Sequence, residues 1–121
     1  MLDADICVDI LAGVGDVLRQ RIEMALPGTL VTSAVALAEV MGSAVRRGGL
    51  IETRRLFGAI PVLPFDRPAA EAYATTLSNR GCPGRLIAAH ALALDLTLVT
   101  GRERDFADVP RLRVENWMLP L

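Results

Sequence analysis

The sequence predicts an α/β fold: a parallel sheet covered on both faces by helices. Three observations carry this. Short apolar or β-branched runs (TLVTS, IPVLPF, LTLVT, LRVENW) recur along the chain, and turn signals or helical segments separate them. The segments between them repeat their apolar residues at helical spacing. One of these, RLIAAHALAL, is apolar on nearly every face, as a helix enclosed in the interior must be. Strands that alternate with helices pair in parallel, because each helix carries the chain back to the start of the next strand.

Taken in order, MLDAD is a very short apolar start that runs straight into acids. ADICVDILAG predicts a short helix closed by Gly13, and GDVLRQRIEMAL a second one capped by Asp16 and ended by Pro27-Gly28. TLVTS is a strand. SAVALAEVMGSAVRRGG is a helix stopped by the pair Gly48-Gly49, and LIETRRLFGAI is another amphipathic helix. IPVLPF is a strand between prolines. DRPAAEAYATTLSNRG starts a helix with Asp66 as cap and Pro68 in the first turn, where a missing N–H costs little. After RLIAAHALAL come the buried strand LTLVT and a final strand LRVENW.

At 121 residues the chain is one domain, 1–121, with 52% hydrophobic residues to fill a core. No apolar run reaches the ~18–20 residues of a membrane span, and no charged leader opens the sequence. Cys7 and Cys82 lack metal-ligand spacing and are expected as reduced thiols of a cytoplasmic protein, a structural disulfide being the alternative. Net charge is −1, which excludes a global basic footprint for nucleic acid. All 13 basic residues are arginine, whose forked donors suit phosphate and carboxylate. With 4% aromatics, a base-stacking platform for single strands is not expected.

In parallel sheets, sites form beyond the carboxyl ends of strands, where strand order reverses. Asp3 directly follows the first apolar run. Glu39 lies six residues beyond Ser33, which places it on an inward face one to two helical turns deep, among alanines and valines. It is therefore expected to be the most buried acid. TGRERDF follows LTLVT and offers Glu103 and Asp105. Carboxylates converging from separate strand ends suit a hard cation such as Mg²⁺ or Mn²⁺, which can activate water for phosphodiester hydrolysis. Plainer roles stand beside each: Asp3 and Asp5 as helix caps, Glu39 paired with an arginine, Asp105 as a cap or turn residue. His90 has no nucleophile or second ligand at helical spacing and is expected to be a satisfied core histidine.

Taken together, these segments resemble the PIN-domain family in its VapC-type toxin ribonuclease branch. MLDADIC is similar to that family's LDTN opening, and SAVALAEVMGSA to its SxxTxAEL helix. PVLPFDRPAAEAYA, LIAAHALALDLTLVTG, RDFADVP and LRVENW have counterparts in the same order, so the resemblance spans essentially the whole chain. It implies a three-layer α/β/α domain that cuts RNA with Mg²⁺ or Mn²⁺ held by three or four acids. It also implies a homodimer, and a cognate antitoxin whose tail fills the active-site groove and through which the pair binds its own promoter. By the same resemblance, Asp3 and Glu39 are the first two acids.

The third acid should precede RLIAAHA in a phrase such as GxPIGPxDRLIAAHA. Here the text is GCPGRLIAAHA, and that carboxylate is missing near Gly84. The fourth position, normally Asp or Asn, is Arg102. Ala4 replaces a hydroxyl residue, and Asp5 an asparagine. Arg85 and Arg102 are expected to add positive charge where a cation should sit. Asp105, Asp5 or Glu103 could compensate. Two readings follow: a toxin ribonuclease with catalytic and metal-binding Asp3, Glu39 and Asp105 and a weakly held Mg²⁺ or Mn²⁺; or a catalytically weak PIN-like module that still binds antitoxin or RNA.

Overall fold

The computed structural model describes residues 1–76 and 84–120. Their helices are α1 (Ala4–Ala12), α2 (Asp16–Met24), α3 (Ala34–Arg47), α4 (Leu50–Ala59), α5 (Arg67–Thr76) and α6 (Gly84–Ala93). The strands are β1 (Thr32–Ser33), β2 (Val62–Leu63), β3 (Leu98–Val99) and β4 (Val114–Glu115), and a short 3-10 helix covers Glu103–Phe106. Cys82 and the rest of the loop before α6 lie outside the described residues.

Among the described residues, all the strand pairings are parallel. β1 pairs with β2 and β3 with β4, and Leu2 bridges Thr32 on one side and Val99 on the other. The lateral order is therefore β2, β1, Leu2, β3, β4. The first segment is the middle of the sheet, though only a single bridging residue represents it. The chain builds outward to one edge, returns, and builds to the other. That puts the reversal of strand order beside Leu2, and Asp3 just past its carboxyl end. Backbone bonds pin this segment from both sides: Leu2 N–H to Val31 C=O at 2.8 Å, Asp3 N–H to Val99 C=O at 2.9 Å, and Val99 N–H to Met1 C=O at 2.8 Å.

The core lies on and around these strands. Leu2, Ile6, Leu18, Ile87 and Leu98 are fully enclosed, each stabilising the fold by roughly 1.5–3 kcal/mol relative to exposure. The apolar helix α6 is the enclosed one, with Ile87 through Ala91 buried. His90 is satisfied there as the sequence predicts. Its Nδ1 lies 2.8 Å from Ser33 Oγ, its ring meets Phe65 edge-on, and burial lowers its pKa against the opposing pull of Asp66. Cys7 is a free thiol, pushed up to about 12 by burial.

The cap signals mostly fall where expected. Gly13 closes α1 in the left-handed region (φ 69°), a backbone conformation that favours glycine. Ser33 caps α3, and Asp66 accepts the Ala69 N–H at the start of α5. Asp16 is a correction: the cap of α2 is Gly15 (φ 86°), and Asp16 is the first helical residue, where its charge still favours the helix N-terminus.

Candidate functional site

Asp3 sits where the central segment becomes α1 and is completely buried. Its Oδ1 accepts the Ala4 N–H at 2.8 Å, and its Oδ2 accepts both the Thr100 hydroxyl at 2.8 Å and Arg102 Nη2 at 3.1 Å. Two residues on, Asp5 faces the end of β3. Its Oδ1 accepts the Ile6 N–H at 2.8 Å, its Oδ2 accepts the Gly101 N–H at 3.0 Å, and Arg102 Nε lies 3.9 Å away. A side chain at 101 would bring its Cβ to 3.1 Å from Asp5 Oδ2, so glycine permits this approach. Burial raises the pKa of Asp5, and the neighbouring Asp3 adds to the rise.

Glu39, on α3, faces the same cleft, which has a volume of about 280 Å³ and is lined by Ala4, Asp5, Val8, Glu39, Val40, Ser43 and Arg102. Glu39 is exposed, so Asp3, not Glu39, is the most buried acid. The helix turns Glu39 outward along the cleft wall while its neighbours Ala36 and Val40 take the interior. Partial burial raises its pKa, Asp3 adds to the rise and Arg102 opposes it. The cleft opens into a larger hollow that shares Val8, Val40 and Ser43 and runs between α1, α3 and α4 to Gly48, Gly49 and Thr53.

The remaining expected residues lie elsewhere. Asp105 is exposed on the 3-10 helix, and its charge acts on Arg102. Glu103 lies 3.4 Å from Asn116 Nδ2. Arg85 corrects the expectation that it crowds the acids: its Nη2 donates to the Asp105 carbonyl at 2.8 Å and to Asp108 Oδ1 at 2.9 Å, joining α6 to the 3-10 helix. Arg102 does enter the site. Burial works against its charge, but Asp3, Asp5 and Asp105 outweigh that and hold the guanidinium protonated. Thr100 is the participant that sequence reasoning passed over; the signal available was a hydroxyl residue at a strand end, one position before a glycine.

The donor set does not fit a divalent ion as it stands. No Asp3 oxygen lacks a donor, and the two lone pairs of its Oδ2 are both taken. Arg102 brings its charge among the acids, and among the described residues no three Asp, Glu, His or Cys side chains converge on a point a metal could fill. What remains chemically is a pair of carboxylates, Asp5 and Glu39, made more basic than free ones and facing an arginine across an open cleft.

Known proteins share this whole framework. The chain is 29% identical over 129 residues to ribonuclease VapC2 of Rickettsia felis, covering 97% of this chain and 96% of that one. It is 29% identical over 128 residues to the tRNA(fMet)-specific endonuclease VapC of Shigella flexneri, with the same coverage. Among solved structures, VapBC-1 of nontypeable Haemophilus influenzae matches at TM-score 0.80 and 27% identity over 98% of each chain. VapBC2 of Rickettsia felis bound to a promoter DNA fragment matches at TM-score 0.85 and 24% identity over 97% of each. The PIN domain family model matches residues 1–112. With the family's α/β framework, and acids at the carboxyl edge of its parallel sheet, the chain belongs to the PIN domain family.

Proposed function

We propose that this protein is the toxin member of a VapBC-type toxin–antitoxin pair, acting on RNA in the cytoplasm as a weak ribonuclease. The observation that carries the reading is the cleft between α1 and α3. It is walled by Asp5 and Glu39, with Asp3 beneath, and it continues into an apolar-sided hollow between α1, α3 and α4. A partner chain laid along that hollow would reach the acids, as the resemblance implies for an antitoxin tail. Likeness to VapC ribonucleases over 97% of the chain supports the same assignment. No helix among the described residues is long and apolar enough to cross a membrane. The homodimer, the RNA substrate and the Mg²⁺ or Mn²⁺ requirement belong to this proposal, as do catalytic roles for Asp3, Glu39 and Asp105.

A second reading has its own observation. Arg102 lies among the acids, and this favours a PIN-like binding module that keeps its antitoxin while cutting RNA slowly or not at all. One experiment addresses both. The chain is co-expressed with the antitoxin encoded in an adjacent reading frame, the complex is purified, and the freed protein is assayed on RNA with and without Mg²⁺. A stable complex and weak Mg²⁺-dependent cleavage abolished by Asp3→Ala support the ribonuclease. A stable complex without cleavage selects the binding module. Absence of a complex overturns both.

A further inference from the structure

We propose that Arg102 is the resident cation of the acid cleft, and that a divalent ion enters only when the arginine leaves. This deepens the reading above and rests on it only for calling the cleft the active site. The geometry is that of an occupied position. Asp3 is completely buried, so it must have donors, and Arg102 Nη2 supplies one of the two on its Oδ2. The other is the Thr100 hydroxyl, fixed at the end of β3. Of these two donors, only Arg102 can withdraw. Its side chain is 43% exposed and it meets solvent across the open cleft.

The backbone aims this side chain. The Arg102 N–H donates to Thr100 Oγ1 at 3.1 Å, and the Gly101 N–H donates to Asp5. The three residues Thr100, Gly101 and Arg102 thus clasp both aspartates from one turn. Glu39, across the cleft on α3, feels the same positive charge. A divalent ion bound at Asp3 Oδ2 would need the lone pair that Arg102 now uses. It would also have to shed water next to a guanidinium, which is unfavourable for an ion that dehydrates reluctantly. Displacing this half-exposed arm leaves the buried Asp3 short of a donor that an incoming cation would replace, so the arginine and the cation compete for one position.

The experiment uses Mn²⁺ alone as probe, with no RNA and no antitoxin, so its outcome is independent of the pairing reading. Mn²⁺ binding to the full chain is measured by calorimetry and by the electron-spin signal of free Mn²⁺, for the parent, Arg102→Gln, Arg102→Lys and Arg104→Gln. The expected result is at least tenfold tighter binding for Arg102→Gln, with Arg104→Gln unchanged because Arg104 is an exposed residue outside the cleft. Arg102→Lys keeps the charge and should bind no better than the parent. In a chelating buffer Arg102→Gln should melt lower than the parent, and Mn²⁺ should restore it. Equal Mn²⁺ affinity for parent and Arg102→Gln, whether both bind or neither does, overturns the proposal. So does an Arg102→Lys protein that binds as tightly as Arg102→Gln.

Discussion

Arg85 follows the place where the family pattern has its third acid, and Arg102 stands where that pattern has Asp or Asn, yet the two arginines do opposite things. Arg102 follows a strand end, on a turn already tied to Asp3 and Asp5, and its side chain goes into the cleft. Arg85 starts from the first turn of α6 and spans to the 3-10 helix, where a backbone carbonyl and Asp108 receive it. An arginine beside a missing acid does not have one consequence. The partner the local backbone presents decides whether the cation enters the cleft or fastens two elements elsewhere.

The largest effect that bears on this comparison should come from Asp3. Asp3→Ala removes a buried helix cap and strands both Thr100 and Arg102, so urea denaturation should show a loss of about 3 kcal/mol. A loss under about 1 kcal/mol would mean that the Arg102 side of the comparison is a surface contact. Next is the pair itself. Arg102→Gln leaves Asp3 buried with a donor missing and should cost about 1–3 kcal/mol. A double-mutant cycle with Asp3→Asn should return a coupling of about 1 kcal/mol or more. The matching cycle of Arg85→Gln with Asp108→Asn should return less. Asp108 is 41% exposed, and water screens that pair.

pH bears on the cleft side of the comparison. Burial and Asp3 raise the pKa of Asp5, so the folded state holds its proton more tightly than the unfolded chain does. Ionised Asp5 therefore opposes folding. That opposition is absent below the ordinary value of 3.8 and grows as pH rises through the raised folded value. The stability of Asp5→Asn relative to the parent should accordingly increase between pH 4 and pH 7. A flat difference over that range would overturn this expectation.

The smallest effect is expected at Glu39. Its pKa is also raised, first by partial burial and then by Asp3, so Glu39→Gln should shift stability upward at pH 7 without metal. Because the side chain is exposed, the gain should stay within about 0.5 kcal/mol. A fall in melting temperature would show that Glu39 is held by Arg102 as firmly as Asp3 is.

Much of this was legible in the sequence for a definite reason. The helices announce themselves by spacing and caps, and the strands by short apolar runs, because both signals are local. The parallel pairing follows from their alternation. What the sequence could not show is the extent of the strands: each pairs over two residues, and the central one is a single bridge at Leu2. Pairing length depends on neighbours far along the chain.

The same holds in the site. Asp3 and Glu39 were identifiable by position and resemblance, and Arg102 by its departure from the pattern. Whether Arg102 or Arg85 would turn inward rested on contacts between residues almost a hundred positions apart, such as Arg102 with Asp3. Glu39 is exposed despite its apolar neighbours because they fill the inner face of the helix and leave the adjacent position outside. For Thr100 the local signal is only a hydroxyl at a strand end before a glycine, and its partner Asp3 lies at the other end of the chain.

The contact between Arg102 and the buried Asp3 also constrains the paths by which this chain can change. Once the arginine is seated, Asp3 is required for folding whether or not it ever serves chemistry. Loss of either residue alone strands the other in or beside the interior, so descendants keep both or must exchange them together. An acid at this position would then persist through drift long after any catalytic demand had lapsed. Its retention would record the needs of the fold.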